Sequence, residues 1–214
     1  MLAKSKTNTR QGYYKRPNSV HYVGQRQSLS VRDKIELSVL HLNVRNLNAK
    51  CTQLCQLLHL VNIDFDVIVL SEVWTTNIDC YSNMLHNYSF YYDLPSSSKV
   101  RGVAMYVKNN YQHEELPNMT INSSSLKIEN LWIKIKKCGV NYIVGGIYRH
   151  SNQKIVEFTL ALDMVMSEIS NQKVKCIFAS DFNINLTKCT VSNDTSTYID
   201  TLVMNNFMST VLMP

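Results

Sequence analysis

Asp66-Val-Ile-Val-Leu-Ser-Glu72 sets four consecutive large apolar side chains, Val67 to Leu70, between two acids. An uninterrupted apolar run this short predicts an interior strand with both faces covered. The polar residues then fall at its two ends. Upstream, Ile35-Glu-Leu-Ser-Val-Leu-His-Leu-Asn43 alternates at first and then becomes apolar throughout, so a second strand is predicted to sink into the interior as it runs. Between the two lies a turn at Asn46-Leu-Asn48. A helical stretch from Ala49 to Asn62 follows, with Cys51, Leu54, Cys55, Leu57, Leu58 and Val61 at helical spacing.

Downstream the punctuation changes. Strands are expected at Tyr88–Tyr92 and Gly102–Val107, separated by a Pro95-Ser-Ser-Ser98 loop. Leu131, Ile133 and Ile135 alternate with Trp132, Lys134 and Lys136, which reads as a half-exposed strand with a solvated lysine face that includes Lys137. The Cys138-Gly139 turn joins it to a hairpin partner over Asn141–Tyr148. A helix over Ile155–Ile169, a buried strand at Cys176–Ser180 and a helix over Thr197–Phe207 complete the order. Hairpins mixed with crossovers argue for an α/β sandwich, not a purely doubly wound sheet. Polar groups at strand C-termini should gather into one cleft.

Composition narrows the function classes. The chain has 214 residues, 45% of them apolar and 18% charged, enough for a core. No stretch nears the length of a membrane span, and the N-terminus lacks the apolar block of a secretory signal, so an intracellular setting with reduced thiols is expected for the six cysteines. The net charge of +6 is unevenly spread. Residues 1–34 carry eight Lys/Arg against Asp33 alone, whereas residues 35–214 are nearly neutral. The leader, 1–34, is expected to be a basic, disordered extension able to touch phosphates non-specifically, and 35–214 the folded domain.

Four strand ends carry distinctive polar residues: Asn43, Glu72, Tyr148-Arg149 and Asp181-Phe-Asn183. Each alone is weak, since Asn forms turns and acids cap helices. Together they have a chemical logic. Glu72 can hold Mg²⁺, a hard cation that binds through few carboxylates. Asp181 can activate a water. Asn43 and Asn183 can orient carboxylates or bind a non-bridging oxygen. Tyr148 can donate to phosphate, and Arg149 adds a delocalised cation.

Leu42-Asn-Val-Arg-Asn-Leu47, Ser71-Glu-Val-Trp74, Gly102-Val-Ala-Met-Tyr-Val107, Gly146-Ile-Tyr-Arg149 and Ser180-Asp-Phe-Asn-Ile184, in this order, resemble the motifs of the endonuclease/exonuclease/phosphatase superfamily. Within it the series is most similar to the apurinic-type endonuclease domain of non-LTR, LINE-like retrotransposons. The resemblance implies a four-layer fold of two stacked mixed β-sheets flanked by helices. It implies Mg²⁺-dependent phosphodiester hydrolysis (Mn²⁺ being the alternative ion) that nicks target-site duplex DNA, with the nucleus as the place of action. It makes Glu72 the metal ligand with Asn43 beside it, Tyr148 the phosphate-positioning tyrosine and Asp181 the aspartate that handles a proton. Asn183 becomes the asparagine stabilising the transition state, and Arg149 the arginine usual in that branch.

The chain departs from the pattern in three places. Ser180 stands where a glycine is usual, and His150-Ser151 where two prolines are. The Ser/Thr-x-x-Asp and terminal Ser-Asp-His segments of such domains have no counterpart before Pro214. The expectation is therefore a truncated domain with an incomplete second sheet and impaired catalysis. Two other readings stand beside it: a non-catalytic remnant binding nucleic acid through its leader, and a phosphodiesterase or phosphatase with a non-DNA substrate.

Overall fold

The computed structural model describes residues 21–22, 37–75, 77–94, 101–121, 128–172 and 174–210. The basic leader lies outside them except for β1 (His21–Tyr22), and so does the loop expected at 95–98. Val39–Asn43 forms β2, Leu47–Val61 α1 and Val67–Ser71 β3. Tyr88–Asp93 is β4, Val103–Lys108 β5 and Gln112–Glu115 β6. The long hairpin is β7 (Glu129–Lys137) with β8 (Val140–Tyr148). Ile155–Gln172 forms α2, Lys175–Asp181 β9 and Asn193–Met204 α3.

These strands make two mixed sheets. The first runs β1-β2-β3-β5-β4 and the second β6-β7-β8-β9. β2 and β3 are parallel, as are β8 and β9, and the remaining pairs are antiparallel. Pleat alternation assigns the layers. Val39, Val67, Val69, Val103 and Met105 meet Leu131, Ile133, Ile135, Val144 and Ala179 between the sheets. The opposite face of the first sheet, with Leu42, Ile68, Leu70 and Tyr106, is covered by Leu47 and Leu54 of α1. The opposite face of the second sheet, with Trp132, Ile143 and Ile147, is covered by Phe158, Leu162 and Ile169 of α2 and Tyr198 and Leu202 of α3. The result is the four-layer α/β sandwich expected from the sequence.

Close sheet contact depends on Gly146. A Cβ there would lie 2.9 Å from methyl carbons of both Val69 and Val103. Its neighbour Gly145 faces the other way and makes room for the indole of Trp132.

Several local expectations change. Trp132 is 1% exposed, because α2 and α3 close over the face that alternation alone left open. Lys137 does not join a solvated lysine face. It is in phase with Leu131, Ile133 and Ile135, and its Nζ reaches Asp66 Oδ2 at 2.7 Å. Lys134 instead pairs with Glu114 across the outer edge. The α1 helix begins at Leu47, because the Asn46 side chain caps it by accepting from Ala49 N at 3.1 Å. Ser192 caps α3 in the same manner, which moves that helix four residues upstream of its expected start. Its end comes at Met204, and Phe207 beyond it stacks on Phe178 with ring centroids 4.5 Å apart.

Candidate active site

The parallel pairs β2/β3 and β8/β9 end on the same side of the molecule. Register places Asn43 beside Ser71, and Tyr148 beside Asp181. The ladder between β2 and β3 does not stop there. Val44 N donates to Ser71 O, Asn46 N to Glu72 O and Leu47 N to Val73 O, at 2.8–3.0 Å. The segment carrying Glu72 is thereby strapped down from one side. From the other, Trp74 N donates to Arg101 O at 3.1 Å.

The backbone here is unusual. Arg45, Asn46, Glu72, Trp74 and Asn183 all have positive φ, between 41° and 88°. Each costs roughly 1 kcal/mol for a side chain-bearing residue. Such conformations persist where surrounding bonds over-determine them, and they concentrate at functional sites.

The side chains converge on Asn43. Its Nδ2 donates to Glu72 Oε1 and to Asp181 Oδ2, both at 2.7 Å. One amide thus ties a carboxylate of the first sheet to a carboxylate of the second. Both partners are acceptors, which assigns nitrogen to this side of the amide and leaves Oδ1 on the other. That Oδ1 is buried and has no partner. Arg45 Nε lies 4.0 Å from Glu72 Oε2, but its side chain is largely exposed and the contact is weak.

Tyr148 is buried beside these acids. Burial first, then the charges of Glu72, Asp181 and Glu129 and a hydrogen bond to Glu72, push its hydroxyl up to about 12. It remains a proton donor at any ordinary pH. His150 packs edge-on against its ring.

Asp181 Oδ1 accepts from Asn183 N at 3.2 Å. Asn183 Nδ2 donates to Arg149 O at 2.8 Å. The sequence brings Arg149 to the site as a phosphate cation, but its guanidinium is directed elsewhere. It is 1% exposed. Nε donates to Phe182 O at 2.5 Å, Nη2 to Asn183 O at 2.7 Å, and Nη1 to the carbonyls of His150 and Gln153. The Phe158 ring lies 5.9 Å from Cζ. Burial pulls the guanidinium's pKa down, against the opposing charge of Asp181. Arg149 is a positioning residue that stitches the Asp181–Asn183 loop to the loop after β8. Glu72, Asn43, Tyr148, Asp181 and Asn183 are brought together as the sequence predicts.

Three residues that sequence reasoning missed group around Glu129, the cross-strand neighbour of Tyr148. Glu129 lies opposite Tyr148 in the β7/β8 register. Its carboxyl is raised to about 7 by burial, against the opposing charge of Arg101. Arg101 Nη1 is 3.8 Å from Glu129 Oε1. Asp93 accepts from Asn130 N at 2.8 Å, and burial raises its carboxyl too. A signal for Glu129 was present: it is in phase with inward-facing Leu131, Ile133 and Ile135, and counting back from the Cys138-Gly139 turn pairs it with Tyr148.

Among the described residues no three His, Cys, Asp or Glu side chains cluster as a metal cage. The available atoms are the Glu72 carboxylate and the orphaned Asn43 Oδ1, with Asp181 adjoining. All are hard oxygens, and their small number suits Mg²⁺, which keeps several waters and uses one or two protein carboxylates. The residues fit the ion.

No protein-family model matches the chain, and no curated protein matches its sequence. Solved structures do match. The endonuclease domain of TRAS1, a telomere-specific non-LTR retrotransposon, aligns with TM-score 0.59 and 13% identity, over 81% of this chain and 74% of that one. A mannosyl-6-phosphatase of Bacteroides thetaiotaomicron aligns with TM-score 0.56 and 16% identity, over 76% of this chain and 69% of that one. D. rerio TDP2, solved with a single-strand DNA product, gives 0.56 and 15%, over 81% and 66%. At these identities the likeness is one of architecture. Two mixed sheets with helices outside, and polar strand ends gathered on one side, give this chain the endonuclease/exonuclease/phosphatase fold.

Proposed function

We propose that the chain is a Mg²⁺-dependent phosphodiester hydrolase, and that its substrate is duplex DNA nicked in the manner of a non-LTR retrotransposon endonuclease. The observation that carries the reading is the Asn43 amide joining Glu72 and Asp181 at 2.7 Å each. It holds two carboxylates of opposite sheets at one point of the cleft, where their charges alone would drive them apart.

Each side chain then has a role. Glu72 and Asn43 Oδ1 would hold the ion, which when bound supplies a positive charge for phosphate and leaving-group oxygens. Asp181, fixed through both oxygens by Asn43 and Asn183 N, accepts a proton from the attacking water. Tyr148 stays protonated and donates to a non-bridging oxygen. Asn183 is exposed, and the second N–H of its amide, whose nitrogen also donates to Arg149 O, would donate to the same phosphate. The retrotransposon assignment rests on the five ordered motifs and is supported by the likeness to the TRAS1 domain. DNA as partner is supported by the TDP2 complex.

Nicking of supercoiled plasmid in Mg²⁺ tests the reading, with Glu72→Ala and EDTA as controls. Nicking that disappears in both is expected. Folded protein that leaves the plasmid intact, and binds DNA only through residues 1–34, would replace the hydrolase with a non-catalytic binder.

A further inference from the structure

The cleft described above has three acids, Glu72, Asp181 and Glu129, facing the place where an anionic diester would lie. The bound ion would offset part of the repulsion; among the arginines, Arg149 does not, because its guanidinium is spent on backbone carbonyls, and Arg45 beside Glu72 is largely exposed and held by a 4.0 Å contact. Arg101 is in a different position. Its backbone is fixed next to the catalytic segment, since Trp74 N donates to Arg101 O and Val73 N to Gly102 O. Its side chain, a quarter exposed, spans from the first sheet to the second and ends 3.8 Å from Glu129 Oε1. Glu129 in turn is the cross-strand neighbour of Tyr148. Arg101 therefore bridges the segment that follows β3 and the β7 residue, Glu129, that lies opposite Tyr148.

The pair it makes is a poor one. The separation is longer than a hydrogen bond. Glu129 Oε2 is buried with no partner, although the side chain is 5% exposed. A well-made buried ion pair satisfies both carboxylate oxygens, commonly through the bidentate fork of an arginine. Among the described residues this long contact is the one ion pair of Arg101, and a guanidinium so loosely held retains the geometry to take two phosphate oxygens.

We propose that Arg101 is the anion-binding side chain of this cleft: resting on Glu129 in the free protein, it turns to the non-bridging oxygens of the substrate phosphate. This rests on the hydrolase reading for the identity of the substrate, but the anion site itself does not require turnover. Glu129 is then a competitor for Arg101 as well as its support. The two members of one ion pair should act on phosphate affinity with opposite signs.

The test is inorganic phosphate binding by isothermal titration, read beside the KM and kcat for bis(p-nitrophenyl) phosphate in Mg²⁺. Arg101→Ala should weaken phosphate binding by about tenfold or more, as expected for loss of a charge-assisted contact. It should raise KM more than it lowers kcat. Arg101→Lys should restore part of the affinity. Glu129→Gln should strengthen phosphate binding by about threefold, because a like charge close to the anion is removed. If Arg101→Ala does not fold, Arg101→Gln against Arg101→Lys makes the same comparison. Equal phosphate affinity in wild type and Arg101→Ala, or parallel losses in Arg101→Ala and Glu129→Gln, would reduce Arg101 to a strut between sheets. Phosphate binding that obeys these signs in a protein without diester turnover would sustain the anion site and refute the hydrolase.

Discussion

Asn43 has one amide and two carboxylates to serve. Replacing it with Ala removes the donor between Glu72 and Asp181 and frees two neighbouring charges to move apart. Turnover is expected to fall by about 10²-fold or more, the scale of losing one preorganised polar group at a reacting centre. Steady-state nicking rates, with thermal unfolding to show that the variant is folded, check this. Glu129 is read through stability. Its folded-state pKa, about 7, exceeds its ordinary value of 4.5. A raised pKa means that the protonated form is favoured by folding. Its stabilising effect is therefore complete below about pH 4.5 and lost as pH rises through 7. Glu129→Gln should remove this dependence and be the more stable protein at pH 8, by on the order of 2 kcal/mol. Urea unfolding at pH 5 and pH 8 measures it, and equal differences at both would contradict it.

At the scale of elements, Arg149 and the loops it joins act as a unit. Arg149→Ala strips hydrogen-bond donors from the carbonyls of Phe182, Asn183 and Gln153. The cost is expected to be about 3 kcal/mol, because buried acceptors would be left unpaired. Arg149→Lys keeps the charge without the planar fork and should recover less than half. Nicking should fall with loop order, and denaturant midpoints separate the two effects. The packing of β8 against β7 makes a similar demand. A methyl at Gly145 would lie 2.5 Å from the Trp132 ring. Gly145→Ala should cost about 1–3 kcal/mol by overpacking. An unchanged melting temperature would show that the indole can yield.

The whole molecule is closed at its far end by a second polar cluster. Asp66, at the N-terminal end of β3, accepts from Ser38 N, Ser38 Oγ, Tyr111 Oη and Lys137 Nζ. Lys137 belongs to β7, so this bond ties one sheet to the other opposite the cleft. Burial alone would raise the Asp66 carboxyl, but the bonds from Lys137, Tyr111 and Ser38 outweigh it and hold the pKa below the usual range. The stability this brings is present above the unfolded value of about 3.8 and lost as pH falls through the folded one. Lys137→Met should cost about 2 kcal/mol at pH 7, because it leaves a buried carboxylate with only the longer 3.9 Å contact to Lys108 Nζ. The deficit should shrink at low pH. Unfolding free energies across pH 2–7 would show it, and a deficit constant with pH would count against the ion pair as its source.

Much of this architecture was legible in order and period. Val67–Leu70 could only be an interior strand, because an uninterrupted apolar run needs cover on both faces. The strand-end residues Asn43, Glu72, Tyr148, Asp181 and Asn183 were identifiable because each follows such a run. Other features required the tertiary structure. β6, Gln112-His-Glu-Glu115, has no alternation, and its strand form comes from pairing with β7. Arg149 and Arg101 are both arginines near strand ends, and local sequence does not say which guanidinium is taken up by backbone carbonyls and which meets a carboxylate. That is decided by which carbonyls lie within reach once β8 and β9 are side by side, and by the Glu129 carboxylate that stacking of the sheets brings to 3.8 Å from Arg101. Sequence order determined the layers and the chemistry available at their ends. Three-dimensional proximity decided which of those groups hold the loops in place and which confront a substrate, because partners 29 and 138 residues apart meet only after the sheets have stacked.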